Sequence, residues 1–447
     1  MKQKTNQIPL LVKICTLVIV ISPVFSHYGF FLQFLLLPEM LYIFLTPFCL
    51  IQIRKINLSK YKYLIAYLFM IFLLSMINGL FKPDFSFYEF ATAYCRFLFY
   101  SFIIIIIADG FFNISYGAKA YIIIALLNSL YLIAQNLSYT LFQVVLPWHI
   151  RWLPIITGSK LISDYEIIFK TYGYRPQGFF LEPAYFAGYV IPALAIILFY
   201  KSPSFHITKT ASTIIALVLS VALILSGSGT AIILLVVCWF FWGVNYLKEK
   251  KPQKLFLKTM IISVTILLIT ILLYRSPYVN GSINRVLSDG NLSSRNVRIS
   301  RGFVIFEQLP RNDKIIGVGY GNNYISIDKY NIVTPYDIEG SNYTNTIAYI
   351  LIGTGYIGLF FYFLIYFDLL KNTRGFFRYT TIILLLTAFS SENPLSLSMI
   401  TAFAFIMKGY TPNHILQKRK FRTTQKDSIV GTTSSKKTRP GLSEQTY

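Results

Sequence analysis

Of 447 residues, 55% are hydrophobic, 17% aromatic and only 13% charged, with mean hydropathy +0.57; soluble domains carry about a quarter charged residues, so the composition excludes an ordinary water-soluble enzyme and marks a lipid-facing chain. Lys and Arg outnumber Asp and Glu by 41 to 18, a net charge of +23. These basic residues sit mostly in short gaps between apolar runs, which is the positive-inside pattern of a membrane protein and argues against a nucleic-acid partner.

Taken in chain order, the first apolar run covers residues 9–25 behind Lys2 and Lys4. No small-x-small cleavage site follows it, so it reads as a first transmembrane helix and not a signal peptide. Crossing the hydrocarbon core takes about 20 largely apolar residues. Eleven further runs follow, at 28–52, 62–80, 96–113, 120–142, 184–200, 211–226, 229–247, 256–274, 346–369, 378–391 and 395–409, the last two short for full spans. With the N-terminus inside, alternate crossing places Arg54, Lys55, Lys60 and Lys62, then Lys201 and Lys209, Lys248 to Lys254, Lys371 to Arg378 and the tail basic residues on the inside. The weakly basic segment around Asp84 and Glu89 falls outside, as do two long segments, 143–183 and 275–343.

The expectation is an all-α, polytopic bundle of about 12 transmembrane helices over residues 1–410 with a large extracytoplasmic loop, and a disordered, basic cytoplasmic tail over 411–447. Cys15, Cys49, Cys95 and Cys238 show no metal-ligand spacing and read as small core hydrophobes. No internal repeat is visible.

Chemistry is expected in the outside segments. Arg175, Gly178, Glu182 and Pro183 form R-P-Q-G-F-F-L-E-P where the first long loop meets the sixth span. One reading is an interfacial ion pair with Pro183 opening the helix. The other uses the fixed guanidinium fork of Arg175 and the helix N-terminus to hold a diphosphate, while a partly desolvated Glu182 accepts a proton from a sugar hydroxyl. Ser226, Gly227, Ser228 and Gly229 read as a tight turn between two spans.

In the second loop, Ser293 and Ser294 precede Arg295, Arg298 and Arg301 at helical spacing, predicting a short surface helix whose arginines are either a solvated face or a grip on a diphosphate. Gly317, Gly319, Gly321 and Asn322 follow in G-V-G-Y-G-N, which reads as a close-packed, substrate-contacting turn, since no Rossmann strand and helix surround it. Thr344, Asn345, Gly353, Gly355 and Gly358 open the tenth span, with glycines at a spacing that lets helices pack closely.

R-P-Q-G-F-F-L-E-P before a span, S-G-S-G-T between two spans, and a long loop ending in G-V-G-Y-G-N and N-T-I-A-Y-I-L-I-G-T-G-Y-I-G together resemble the O-antigen polymerase and O-antigen ligase superfamily, from about Tyr174 to Leu359. The resemblance implies a fold like the GT-C glycosyltransferases and an inverting transfer between undecaprenyl-diphosphate-linked oligosaccharides at the outer face of the cytoplasmic (inner) membrane. It implies that Arg175 and one or more of Arg295, Arg298 and Arg301 bind the donor diphosphate, with Gly178 and Asn345 also in contact with substrate. It calls for no cofactor, metal or nucleotide sugar, and adds membrane lipid and a chain-length regulator to the expected partners.

Ligases of the superfamily typically carry a histidine immediately before the asparagine matching Asn345, and here that position is Thr344. None of His27, His149, His206 and His414 replaces it in sequence; His149, in an outside loop, is the remaining candidate. The departure favours a polymerase, making O-antigen or capsular polysaccharide with Glu182 as base. The alternatives are a flippase for lipid-linked oligosaccharide, which would place ionisable residues near the bilayer midplane, and an O-antigen ligase.

Overall fold

The structure is a computed structural model that describes residues 8–29, 35–53, 56–155, 174–202, 205, 207–248, 299–335, 344–389 and 396–411. Among these residues there are helices and three isolated bridges, and no strand. The expected run 256–274, Ser293, Ser294, Arg295, Arg298 and the tail after residue 411 lie outside the described residues.

Each of the other eleven expected runs corresponds to an apolar helix, four of them long enough to cross a membrane and seven shorter. They are α1 (Leu10–Ile21), α2 (Leu37–Gln52), α3 (Lys62–Phe81), α4 (Phe87–Ile103), α5 (Ile114–Phe142), α6 (Pro183–Phe199), α7 (Lys209–Leu225) and α8 (Gly229–Lys248). In the second loop come three short helices, α9 (Arg301–Gln308), α10 (Arg311–Ile316) and α11 (Asn323–Lys329); then α12 (Thr346–Asn372), α13 (Phe376–Thr387) and α14 (Leu397–Gly409) complete the bundle. The protein is thus a helical membrane protein.

Local chemistry starts the helices where apolar sequence begins. Ser86, Asn113, Thr208, Asn345 and Ser396 each accept a backbone N–H of the first turn with the side chain, which satisfies a donor the helix itself leaves open. Pro47 and Pro192 lie inside α2 and α6, a placement that neighbouring helices make tolerable in a membrane bundle. The core runs through the bundle: α3 packs on α12, with the Tyr67 and Tyr362 rings 5.5 Å apart. Likewise α5 packs on α6 and α7.

Charged side chains pair at the helix ends. At one end Lys60 meets Asp109 at 3.2 Å, and Lys408 donates to the Asp109 carbonyl. At the other, Lys82 meets Asp313 at 2.6 Å and Lys329 pairs with Asp84. Every pair joins segments that the alternation of crossings assigns to the same side.

Two sequence readings change. The described part of the helix expected after Ser293, from Arg301 on, does not lie free on the surface: Arg301, Ile305, Phe306 and Leu309 are buried. Gly302 is the reason, since a Cβ there would stand 2.4 Å from that of Ala348, so glycine lets α9 lie directly on α12. Of the cysteines, Cys15, Cys49 and Cys238 are buried, but Cys95 is on the exposed face of α4.

Candidate functional site

The R-P-Q-G-F-F-L-E-P segment is irregular backbone sunk into the bundle. A Cβ on Gly178 would stand 3.4 Å from the carbonyl of Asn128, the midpoint of α5, and 3.3 Å from the Phe186 ring. That midpoint is 14 residues, about 21 Å at 1.5 Å per residue, from either end of the 29-residue helix. The chain therefore re-enters the protein before α6 starts, and α6, with 17 residues, is only about 25 Å long.

Buried non-helical backbone needs partners, because no water reaches it. Gln135 supplies them: its Oε1 accepts the Gly178 N–H at 2.9 Å and its Nε2 donates to the Gly178 carbonyl at 3.2 Å. The same amide reaches the Pro147 carbonyl at 3.3 Å. Tyr131 stacks on Phe179, centroids 4.2 Å apart and planes 3° from parallel. Gly178 takes φ +65°, a conformation that glycine adopts freely. The Gln135→Leu variant, which keeps the volume but leaves both Gly178 backbone groups unpaired, should lose about 2–5 kcal/mol of stability; thermal unfolding in detergent, read against Ile133→Leu, measures it.

Glu182 is the last residue before α6. Its backbone carbonyl accepts the Tyr185 and Phe186 N–H groups at 3.1 and 3.2 Å. Its carboxylate does not cap the helix, and the side chain is half-buried, as is that of Arg175. Gln177, between them and the turn, is buried. The structure thus gathers Arg175, Gly178 and Glu182 on one short segment held by α5, and Gln135 is the residue that sequence reasoning missed. A glutamine inside an apolar helix was the only signal.

Beside this segment lies a second layer. Tyr28 pairs with Ile155 in an antiparallel bridge, and its hydroxyl accepts the Ile150 N–H at 2.7 Å. His27 is 6% exposed, with ring centroids 4.1 Å from Tyr28 and 5.3 Å from Trp148. Burial, reinforced by nearby His149, pushes the His27 imidazole down from 6.5 to about 4. The unfolded chain then binds a proton that the folded one refuses. Stability is therefore full above pH 6.5 and falls as pH drops to about 4, by about 3 kcal/mol in all. An unfolding series across that window, run beside a His27→Leu variant that should lack the slope, checks it.

Arg301 and Asn345 form another group, on α9 and α12. Asn345 is fully buried; its Oδ1 accepts the Ala348 N–H at 2.9 Å and its Nδ2 donates to the Ile299 carbonyl at 3.0 Å, so it both caps α12 and ties α9 to it. Thr344 beside it is 1% exposed.

The glycine motif packs on α12 itself. Gly355 breaks α12 at φ 64°, ψ −166°, which frees carbonyls one turn earlier. The Val318 N–H donates to the Ile352 carbonyl at 2.9 Å and the Gly319 N–H to that of Gly353 at 3.0 Å. Both glycine series of the sequence are thus two sides of one backbone-to-backbone joint. In the S-G-S-G turn, the Ser226 hydroxyl donates to the Leu223 carbonyl at 2.7 Å and Gly227 takes φ 61°, as a tight turn requires.

These elements define a polytopic helical membrane protein with irregular, buried backbone that reaches the midpoint of α5. Residues 214–363 match the family model described as O-Antigen ligase, consistent with the O-antigen polymerase and ligase superfamily. The matched stretch runs from α7 into α12 and takes in Arg295, Arg298, Arg301 and Asn345, while Arg175 and Glu182 precede it. It supports a glycan-transferring membrane enzyme of the ligase or polymerase type and does not favour a transporter. Among curated proteins none matches the sequence.

Proposed function

We propose that this protein polymerises undecaprenyl-diphosphate-linked oligosaccharide repeats at the outer face of the cytoplasmic membrane, without a metal. The observation that carries the proposal is the buried 174–182 segment, which presents a guanidinium and a carboxylate seven residues apart on one loop that Gln135 holds at Gly178. Irregular backbone at membrane depth is tolerated where it is buried in protein or lines a cavity, and ionisable residues there are functional by default.

In the proposed reaction, Arg175 and one or more of Arg295, Arg298 and Arg301 neutralise the donor diphosphate, with Gly178 and Asn345 shaping the substrate contacts. Glu182 takes the proton of an acceptor sugar hydroxyl as its oxygen attacks the donor's anomeric carbon from the face opposite the leaving group. The bond from that carbon to the diphosphate oxygen breaks, and undecaprenyl diphosphate leaves with the electron pair. One glycosidic bond forms as one glycosyl–phosphate bond breaks, and the configuration inverts. Both termini and the basic tail lie in the cytoplasm in this scheme, and a chain-length regulator is a further partner.

The second reading, an O-antigen ligase, draws on the description of the matched family. It is weakened by the buried threonine at position 344, where ligases typically carry histidine. Gel profiles of surface glycan and of lipid-linked intermediates from cells lacking the gene separate the two. Single repeats at the surface in place of long chains are expected. Full-length polymer stranded on the lipid carrier would establish the ligase instead, and repeats trapped on the cytoplasmic side would establish a flippase.

A further inference from the structure

The loop that Gln135 holds against α5 covers polar atoms that the fold leaves unsatisfied. Asn128 lies seven residues before Gln135, two turns back on the same face of α5. Its backbone carbonyl is the oxygen 3.4 Å from a Cβ on Gly178. The Asn128 Nδ2 donates to the Ile124 carbonyl at 2.9 Å, which leaves Oδ1 as an acceptor. Gln177 is the loop residue before Gly178. Among the described residues neither the Asn128 Oδ1 nor the Gln177 Nε2 has a hydrogen-bond partner, and the two residues are 4% and 3% exposed. The shortage is regional. His27, whose ring packs on Trp148 next to the Pro147 carbonyl that Gln135 also reaches, has no partner on either ring nitrogen.

Folded proteins pair nearly all such atoms, because a buried donor or acceptor left alone forfeits the hydrogen bond it made to water. Here an acceptor on α5 and a donor on the loop that lies over it are both left open. A hydroxyl suits the two together, since it donates and accepts at once. A phosphate only accepts and would leave the Asn128 oxygen unmet, while an ammonium only donates and would leave the Gln177 amide unmet. Neither atom has surface that a water reaches, so whatever pairs with them enters as the loop parts from α5. The closed loop gives up hydrogen bonds that an entering hydroxyl restores, which lowers the cost of opening onto such a ligand.

We propose that Asn128 and Gln177 bind hydroxyl groups of a sugar in the lipid-linked oligosaccharide, which enters between α5 and the 174–182 segment. The inference rests on the transfer reaction proposed above and adds which part of the substrate meets this loop at Gly178: the sugar, with the diphosphate left to the arginines. It holds for a polymerase and for a ligase, because both take a lipid-linked glycan.

Binding by the purified full chain in detergent tests it with two probes that differ only in their sugars: undecaprenyl diphosphate, and the undecaprenyl-diphosphate-linked repeat isolated from cells lacking the gene. The wild type should bind the repeat more tightly than the bare carrier. Asn128→Leu and Gln177→Met should each weaken binding of the repeat about fivefold or more, the worth of one neutral hydrogen bond, and leave binding of undecaprenyl diphosphate unchanged. Unfolding temperature is the second readout. An apolar side chain of similar size removes an unpaired atom from the interior, so both variants should unfold at or above the wild-type temperature, which a purely structural pair of amides would not allow. Equal weakening for both probes, unchanged affinity for the repeat, or unfolding several degrees below wild type would each overturn the sugar site, the last by showing the two amides to be paired within the folded protein. A wild type that binds neither probe would sink the transfer reaction along with the site. Binding of both probes with unmoved variants sinks the site alone and leaves the polymerase proposal to its glycan profile.

Discussion

Replacing Gly355 with alanine is expected to remove folded protein from the membrane. The Cβ would stand 2.3 Å from the Ile315 carbonyl oxygen and 2.7 Å from the Gly317 nitrogen, at a φ of +64°. Neither atom can rotate away, because both belong to backbone. The left-handed conformation alone costs a non-glycine residue about 1–2 kcal/mol, and overpacking adds about 1–3 more, a large part of a typical folding free energy of 5–15 kcal/mol. Gly317→Ala probes the same joint from the other side, since its Cβ would fall 2.3 Å from the Gly353 carbonyl oxygen at φ +81°. Gly188→Ala is the control, with nothing within 4 Å of the added carbon. Yield of monodisperse protein in detergent and its unfolding temperature measure all three. A Gly355→Ala protein as stable as Gly188→Ala would mean that the loop and α12 are not joined backbone to backbone.

Arg175→Ala and Glu182→Gln should each abolish long-chain polymer while leaving the protein folded, because both side chains are only half-buried and neither caps α6. A positioned base contributes about 100- to 10,000-fold to a rate, and Glu182→Gln keeps the shape while removing the proton acceptor. Arg175→Lys separates charge from geometry: a point charge lacks the two-pronged match to diphosphate oxygens, so activity should fall between that of wild type and Arg175→Ala. Expression in a strain lacking the gene, with surface glycan resolved by chain length, reads the outcome. Near-normal polymer from Arg175→Ala or Glu182→Gln, with protein levels intact, would return that residue to a structural role.

The Gln135 variant separates these effects, since it damages the same loop without touching a proposed reacting group. It should lower stability and activity together, whereas Glu182→Gln should lower activity alone. Arg301 poses a different question. It is 4% exposed, so a diphosphate would reach it only in company with the residues around α9.

What the sequence determined by itself follows from periodicity and solvent. Apolar runs of about 20 residues read as membrane helices, because hydrocarbon leaves a chain few other solutions, and lysine and arginine counts between them set the orientation to be expected. Eleven helices stand where those runs were expected, and Arg175, Gly178 and Glu182 were singled out from one short string of residues. Pairing was not legible. That Gln135 would hold Gly178 and that Gly317 and Gly319 would meet Gly353 and Gly355 depends on contacts between residues 34 to 43 positions apart. Such contacts arise only when helices pack. Glycine and glutamine mark these places in the sequence without naming their partners, because a missing Cβ or a spare amide says that something comes close, and only the tertiary structure decides what does.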